Sequence, residues 1–432
     1  MTSKQLILVS SSSMDNNTKR EEDSLIRMSK KVRDSCKFSK DNIVIDKKDG
    51  TREQLNIFHA YKDDISWARS KYNESDFVRT AFVTSRTLKN LTGGNKDSNI
   101  WISEEDDKVV FGADPEFLIR KKDDLSIVNA SSVLSPIGEM GSDGAMAEIR
   151  PLPSLTPEGL CINMDKIFRD EKYKSVMEQY LFTAGCYESN NIRDFPIGGH
   201  IHVGNPVSIK GVSISDRKLI YQVLNKILDE LLAVPVSKLD LGVPGFKRRA
   251  ECRMSPSGGY GYFGEYRLAK NKGDSDTEIR LEHRTLSGMW LIHPTVSKAV
   301  LGVAKMIIDS FWDLMIQNNF RTDFAFPNEC KGKNLWSSGF KDWGKFQVCK
   351  EMGCVMSSLD IINILNSKES NVINKTFLNK WEKRIKSLSK FNMYQDYVKL
   401  LKNILTVSEK ELSAFDRTIQ NNWLESKKFI IE

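Results

Sequence analysis

The chain has 432 residues, 40% of them hydrophobic and 28% charged, and carries a net charge of +7. That length exceeds one ordinary domain and can bury a large core, and the composition excludes an intrinsically disordered chain. The longest apolar stretch, Ala299 to Ile316, is interrupted by Lys305, Asp309 and Asp313, which excludes a membrane span. Seven cysteines without a CxxC pair argue against a disulfide framework or a zinc knuckle, and predict reduced thiols with Cys161, Cys186 and Cys252 in core or loop positions. The opening residues lack an apolar signal region, so a cytoplasmic location is expected. The positive balance gives a mild bias towards nucleotides or nucleic acid, because lysines and acids are interleaved along the chain.

In chain order, residues 1 to about 105 read as a helix over Glu21 to Cys36, with Leu25, Ile26, Met28 and Val32 as its stripe, among polar linkers such as SKDNIVIDKKDGTREQ. A turn-rich stretch, TGGNKDSN, then leads to FGADPEFLIR. Strand side chains alternate between faces, so a strand here places Asp114, Glu116 and Leu118 on one side and Phe117 and Ile119 on the other. Asp143-Gly144 is a turn signal, after which Met146, Glu148 and Arg150 share one strand face and Ala147 and Ile149 the other. Thr156 caps a helix with Pro157 at its first position, and a second helix is predicted over Glu171 to Thr183. In FPIGGHIHVGNP, His200 and His202 point one way and Ile201 and Val203 the other, between glycines that permit close approach of another chain or a ligand.

Ser215 is the expected cap of an amphipathic helix, DRKLIYQVLNKILDELLAV. Residues 236 to 275 are rich in Gly and Arg. Arg248, Arg249 and Arg253 supply cations suited to phosphate or carboxylate, Glu265 and Arg267 form an acid-base pair two residues apart, and no GxxxxGK[ST] phosphate loop is present. EIRLEHR then places Glu278, Arg280, Glu282 and Arg284 on one strand face and Ile279 and Leu281 on the other. Pro294 starts a long apolar helix, and from about residue 321 the chain reads as Lys-rich, Trp-bearing helices. Three regions result: an accessory region over 1–105, a catalytic region over 106–320 and a helical accessory segment over 321–432.

Each charged strand taken alone suits a solvated sheet edge. The ordered set of Asp114/Glu116, Glu148/Arg150, His200/His202, Glu265/Arg267 and Glu282/Arg284 predicts one antiparallel sheet in an α+β fold, whose polar face lines a pocket of carboxylates, imidazoles and guanidiniums. Burying those charges is costly unless partners are supplied, and divalent cations with a polyphosphate supply them. An HxH pair also occurs in zinc hydrolases, but no third His or Cys is spaced to complete such a site.

Three motifs in order, FGADPEF with DGAMAEIRP, then GGHIHVG, then RLEHRTLSG before a long helix, resemble the carboxylate-amine ligases of the glutamine synthetase and glutamate-cysteine ligase superfamily. The resemblance spans about residues 108 to 320 and is strongest to amidoligase-type members encoded in bacteriophage genomes, which places the expected location in a host cytoplasm. It implies an ATP-dependent ligase whose curved antiparallel sheet holds two or three magnesium ions, with manganese as a substitute. Matched residue by residue, it implies Asp114, Glu116, Glu148, His200 and Glu282 as metal ligands. It likewise implies His202 and Arg284 at the ATP phosphates, with Glu265 and Arg267 beside them; Arg253, from the Arg-rich stretch, is a further expected ATP contact, and Glu148, Arg150, Arg267 and Arg284 are expected at the reacting centre. Asp114 stands where the synthetases usually carry Glu. The implied reaction makes an acyl phosphate from a small-molecule or peptide carboxylate and ATP, and an amine then displaces phosphate. Two other readings compete: a phosphotransferase of the guanidino-kinase type, and a non-catalytic nucleic-acid-binding or virion component.

Overall fold

The structure, a computed structural model, describes six strands within residues 4–103 and then residues 109–189, 194–242, 261–270, 279–367, 372–425 and 428–429. The chain divides into two compact units, Met1–Lys108 with Pro206–Ser208, and Val109–Asn205 with Ile209–Glu432.

In the first unit, strands β1 (Lys4–Ser10), β2 (Leu25–Met28), β3 (Asn42–Asp46), β4 (Arg52–His59), β5 (Thr80–Val83) and β6 (Ser98–Ser103) close a barrel in the order β1-β5-β2-β4-β3-β6. This corrects two expectations. The predicted helix over Glu21–Cys36 contains strand β2 instead, and the polar linker at residues 39–54 contributes β3 and part of β4, paired antiparallel with Asp46 opposite Arg52. Short apolar runs such as Leu25-Ile26 and Ile43-Val44-Ile45 are compatible with either state, and pairing with strands distant in sequence decides between them.

The second unit is an eight-stranded sheet covered by helices, the α+β arrangement with an antiparallel sheet expected from the sequence. At its centre lies the 11-residue β7 (Phe111–Lys121). Its last residues pair with β8 (Ile127–Val128) and β11 (Tyr180–Thr183), and its first residues carry the functional half of the sheet. Beyond β7 on one side come β10 (Met146–Ile149) and β9 (Met140–Asp143), joined by the Asp143-Gly144 turn. On the other side come β14 (Gly199–Val203), β16 (Arg280–His283) and β15 (Tyr266–Ala269), all antiparallel to their neighbours. A two-stranded sheet, β12 (Tyr187–Ser189) with β13 (Asp194–Pro196), stands apart.

Alternation along these strands works as the sequence indicates. Phe111, Ala113, Phe117, Ile119, Ala147, Ile149, Ile201, Val203 and Leu281 enter one large core. Leu118 lies on the opposite face, in a small cluster with Ala145, Phe195 and Ile197. Helices α1 (Pro157–Phe168), α2 (Glu171–Gln179), α3 (Ile214–Leu228) and α4 (Pro294–Gln317) bury their apolar stripes in the large core. Thr156 accepts from Gly159 N–H and caps α1 with Pro157 at its first position, as expected. His293 caps α4, its Nδ1 accepting from Thr295 N–H at 3.1 Å. Two helix ends differ from expectation. Ser213, not Ser215, caps α3, its hydroxyl accepting from Asp216 N–H. Helix α2 stops at Gln179 because Tyr-Leu-Phe-Thr pairs with β7 through residues 118–121, where aromatic and β-branched residues favour the pleated surface.

Residues past 321 form helices that pack into this same unit, among them α5 (Ser358–Asn366), α6 (Lys375–Ile385) and α7 (Phe391–Thr406), the last lying along α4. Cys186, Cys330 and Cys349 are buried, Cys161 is half-buried, and all are free thiols, while Cys252 lies outside the described residues. Among the described residues, no helix is long and apolar enough to cross a membrane.

The glycine before HIH serves the core and not a ligand. A Cβ on Gly199 would sit 2.1 Å from Trp290 Nε1 and 2.2 Å from the Ser287 carbonyl oxygen, and the Trp290 indole donates to Gly199 O at 3.1 Å. The Ser287 oxygen is backbone and has little freedom to retreat. Gly199→Ala is therefore expected to destabilise the protein by about 1–3 kcal/mol, measured as a lowered urea midpoint with an unchanged slope.

Candidate active site

The polar face of the sheet is assembled by register. Asp114 on β7 faces His200 on β14, His202 faces Glu282 on β16, Glu282 faces Arg267 on β15, and on the other flank Glu116 faces Glu148 on β10. Directly opposed carboxylates are unfavourable on a sheet unless something neutralises them. Glu116, Glu148 and Glu282 are nevertheless all buried, Glu282 completely.

Around Asp114 the contacts are close. His202 Nε2 lies 3.0 Å from Asp114 Oδ2, and His200 Nδ1 lies 3.2 Å from Asp114 Oδ1 and 3.8 Å from Glu282 Oε1. Burial works to raise the Asp114 pKa, but hydrogen bonds from His200 and His202, with their charges, outweigh it and hold this carboxyl below the usual carboxylate range. On its other side, His202 Nδ1 lies 3.4 Å from Arg280 Nε. Arg267 Nε donates to Glu282 Oε2 at 2.7 Å. Arg284 Nε lies 3.3 Å from Glu282 Oε1, and its Nη1 lies 3.3 Å from Glu265 Oε1. Glu282 Oε1 is nonetheless buried with no hydrogen bond.

The second cluster sits one pleat along β7. Glu116 accepts from Gly198 N–H, and Glu148 is paired with Arg150, whose Nη1 also donates to Gly138 O at 2.9 Å. Burial and the negative charge of Asp114, followed by Glu116 and Asp143, outweigh the Arg150 guanidinium and push Glu148 up to about 8.

Both clusters fit a cation. Asp114, His202 and Glu282 each offer a ligand atom with all three atoms inside 4.8 Å of one another, and Glu116, Asp143 and Glu148 do the same. The buried Oε1 of Glu282, without a hydrogen bond, and the raised Glu148 both mark carboxylates whose burial the neighbouring guanidiniums offset only in part. Oxygen-rich sets with at most one imidazole suit hard divalent cations.

The structure thus brings together Asp114, Glu116, Glu148, Arg150, His200, His202, Glu265, Arg267, Glu282 and Arg284 on one side of one sheet. Arg253, with Arg248, Arg249 and Glu278, lies outside the described residues. Two participants were not singled out by the sequence. Asp143 reads as a turn residue, and only the β9–β10 hairpin brings its carboxylate to Glu148; Arg280 sits on the charged face of EIRLEHR, and only register shows that it reaches His202.

A comparison of the sequence with family models defines the class: carboxylate-amine ligases, which form C–N bonds. The match covers residues 111–326, half of the 432-residue chain. The chain belongs to the Phage phiEco32-like COOH.NH2 ligase-type 2 family. No curated protein matches it. Among solved structures it is similar to a bifunctional glutathione synthetase from Pasteurella multocida, at 13% identity and a TM-score of 0.32, over 70% of this chain and 53% of that one. It is similar to a complex of the prokaryotic ubiquitin-like protein Pup with its ligase PafA, at 11% identity and a TM-score of 0.34, over 73% and 67% of the two chains. A third is a glutamine synthase homolog, at 11% identity and a TM-score of 0.32, over 89% and 82%. The chain spans about half the length of the glutathione synthetase.

A carboxyl whose folded pKa is raised favours the folded state at low pH, and its contribution is lost as pH climbs from the unfolded value towards the folded one. For Glu148 that window runs from 4.5 to about 8. The metal-free protein is expected to lose stability across it, by up to roughly 1.4 kcal/mol per pH unit. Glu148→Gln should flatten this slope in urea titrations at pH 5, 6, 7 and 8; an unchanged slope would locate the pH dependence elsewhere.

Proposed function

We propose that the protein is an ATP-dependent carboxylate-amine ligase that forms an amide through an acyl phosphate, with its reaction centre on the polar face of the sheet. The observation that carries this reading is the meeting of two cation-sized carboxylate clusters and the guanidiniums of Arg150, Arg267, Arg280 and Arg284 on one sheet face, in a chain that belongs to a ligase family. In this reading residues 106–320 hold the reaction centre, and residues 1–105 and 321–432 are accessory to it.

Asp114, Glu116, Glu148, His200 and Glu282 would hold divalent ions, magnesium or manganese: Asp114 and Glu282 lie with His202 in the first cluster, Glu116 and Glu148 with Asp143 in the second, and His200 lies 3.2 Å from Asp114. When bound, such ions neutralise and orient the triphosphate of ATP. His202, set between Asp114 and Arg280, would contact the phosphates of ATP. Arg267, whose side chain is 58% exposed, is free to swing from Glu282 towards substrate, whereas Arg284 is fixed between Glu265 and Glu282 and faces the phosphoryl group in transfer. Arg150, tied to Glu148 and the Gly138 carbonyl, sets the height of that carboxylate. Arg253 adds a further cation for ATP. In the first step the substrate carboxylate attacks the γ-phosphorus and ADP leaves, with the developing charge met by Arg284 and Arg267. In the second an amine attacks the acyl carbon, the C–N bond forms, and phosphate leaves with the C–O bond. The work of the protein is positioning and charge neutralisation.

The test is a screen for ADP release with magnesium, against pools of carboxylates and amines, with mass detection of the condensed product. ADP, free phosphate and an amide are expected. ADP with a phosphorylated product alone would indicate a phosphotransferase, and salt-sensitive DNA binding without ATP consumption would indicate a binding protein. Glu282→Ala should lower turnover by at least about 100-fold. A separate check needs no substrate: Mn2+ at a hundredfold its Kd should stabilise the wild type by about 2.7 kcal/mol for each site filled. Combining Asp114→Asn with Glu282→Gln should remove the share of that gain that comes from the Asp114 cluster, as read by thermal unfolding.

A further inference from the structure

Behind the reacting face, on the core side of the sheet, stands an imidazole-carboxylate pair that substrate cannot reach. His283 lies between Glu282 and Arg284 on β16, so the pleat sends it to the opposite face, where its Nε2 lies 2.9 Å from Asp229 Oδ1. The other oxygen, Asp229 Oδ2, accepts from Gly264 N–H at 2.7 Å. Both side chains are fully buried. Asp229 opens the π-helical turn Asp229–Ala233 that follows α3, a widened geometry often found at functional sites.

We propose that Asp229 is a positioning residue for the reaction centre, holding Glu282 and Glu265 at a fixed spacing through His283 and Gly264; the inference rests on the ligase reading above. One carboxylate ties together two chain segments, each one residue from a site acid. Those acids, Glu265 and Glu282, are the two that Arg284 spans, at 3.3 Å to each. A shift of the 261–265 turn against β16 would break one of these contacts and turn the metal-facing oxygen of Glu282. The turn has little other freedom. Gly264 adopts φ +84°, the Trp336 ring occupies the place of its missing side chain, and Glu265 accepts from Gly261 N–H.

Stability alone does not account for a polar pin at this place, because apolar side chains of similar size would pack there without the desolvation cost of a carboxylate. What a directional pair adds is a fixed orientation of the strand above it, as outer partners do for metal ligands. The adjacent residue provides a contrast. Glu230 is equally buried, but its carboxylate pairs with Lys226 and Arg384 and accepts from the N–H groups of Val355 and Met356, all away from the reacting face.

The experiment is Mn2+ titration of the full chain, followed by the electron paramagnetic resonance signal of free Mn2+, for wild type, Asp229→Asn and Glu230→Gln, with thermal unfolding of each. Asp229→Asn is expected to weaken the Mn2+ site that contains Glu282 by about 10- to 100-fold and to leave the Glu116–Asp143–Glu148 site unchanged. Glu230→Gln should lower the unfolding temperature and leave Mn2+ affinity at the wild-type value. Should Asp229→Asn not fold, His283→Gln is used in its place with the same expectation. Asp229→Asn or His283→Gln protein that is destabilised yet binds Mn2+ like wild type overturns the inference and leaves the ligase reading standing. A wild type that binds no Mn2+ overturns the ligase reading itself, and the inference with it.

Discussion

Negative charge held in a buried place is the constraint around which this molecule is built. The sheet backbone gives side chains a period of two, so acids two residues apart share a face, and register then sets acids of neighbouring strands opposite one another. Glu116 is 1% and Glu282 0% exposed. Guanidiniums and imidazoles compensate only in part: Arg267 and Arg284 approach Glu282, His200 and His202 approach Asp114, and Glu148 still rises to about 8 beside its Arg150 partner. A protein selected for stability alone would place apolar residues there. The residual charge leaves two acid clusters on this face of a size to fit a cation.

Holding such a face needs a rigid support, and the core provides it. The reverse side of the same strands contributes Phe111, Ala113, Ile149, Ile201, Val203 and Leu281 to one continuous apolar body. Helix α4 lies within that body and α7 lies along α4. The Trp381 indole donates to Leu231 O at 2.7 Å, and Arg384 pairs with Glu230, so helix α6 grips the π-helical turn that starts at Asp229. The Lys-rich segment that looks appended in sequence is thus mechanically continuous with the underside of the sheet. An aromatic cluster of Phe263, Tyr266, Trp336, Phe340, Trp343 and Phe346 ties residues 336–346 to β15 in the same way.

Three of the guanidiniums on this face differ in restraint. Arg284 is held between two acids, Arg150 is anchored to its own carboxylate and a backbone carbonyl, and Arg267 is largely exposed. A fixed cation suits charge that develops at one point, and an exposed one suits a ligand that arrives and leaves. His202 adds an imidazole set between Asp114 and Arg280.

The sequence by itself determined which residues form the two faces of the central sheet, because alternation is local and the apolar members of FGADPEF, GGHIHVG and RLEHR can face only a core. It determined the capping of α1 and the start of α4 for the same local reason. Tertiary structure alone decided what depends on partners far away in the chain. Leu25–Met28 became a strand because parallel and antiparallel neighbours were available, and Tyr180–Thr183 left its helix to pair with β7. Asp143 joined the second cluster through a hairpin, and His283, an ordinary member of EIRLEHR in the sequence, found Asp229 54 residues earlier in the chain. Side-chain direction is written in the backbone period, whereas distance between segments is set by packing.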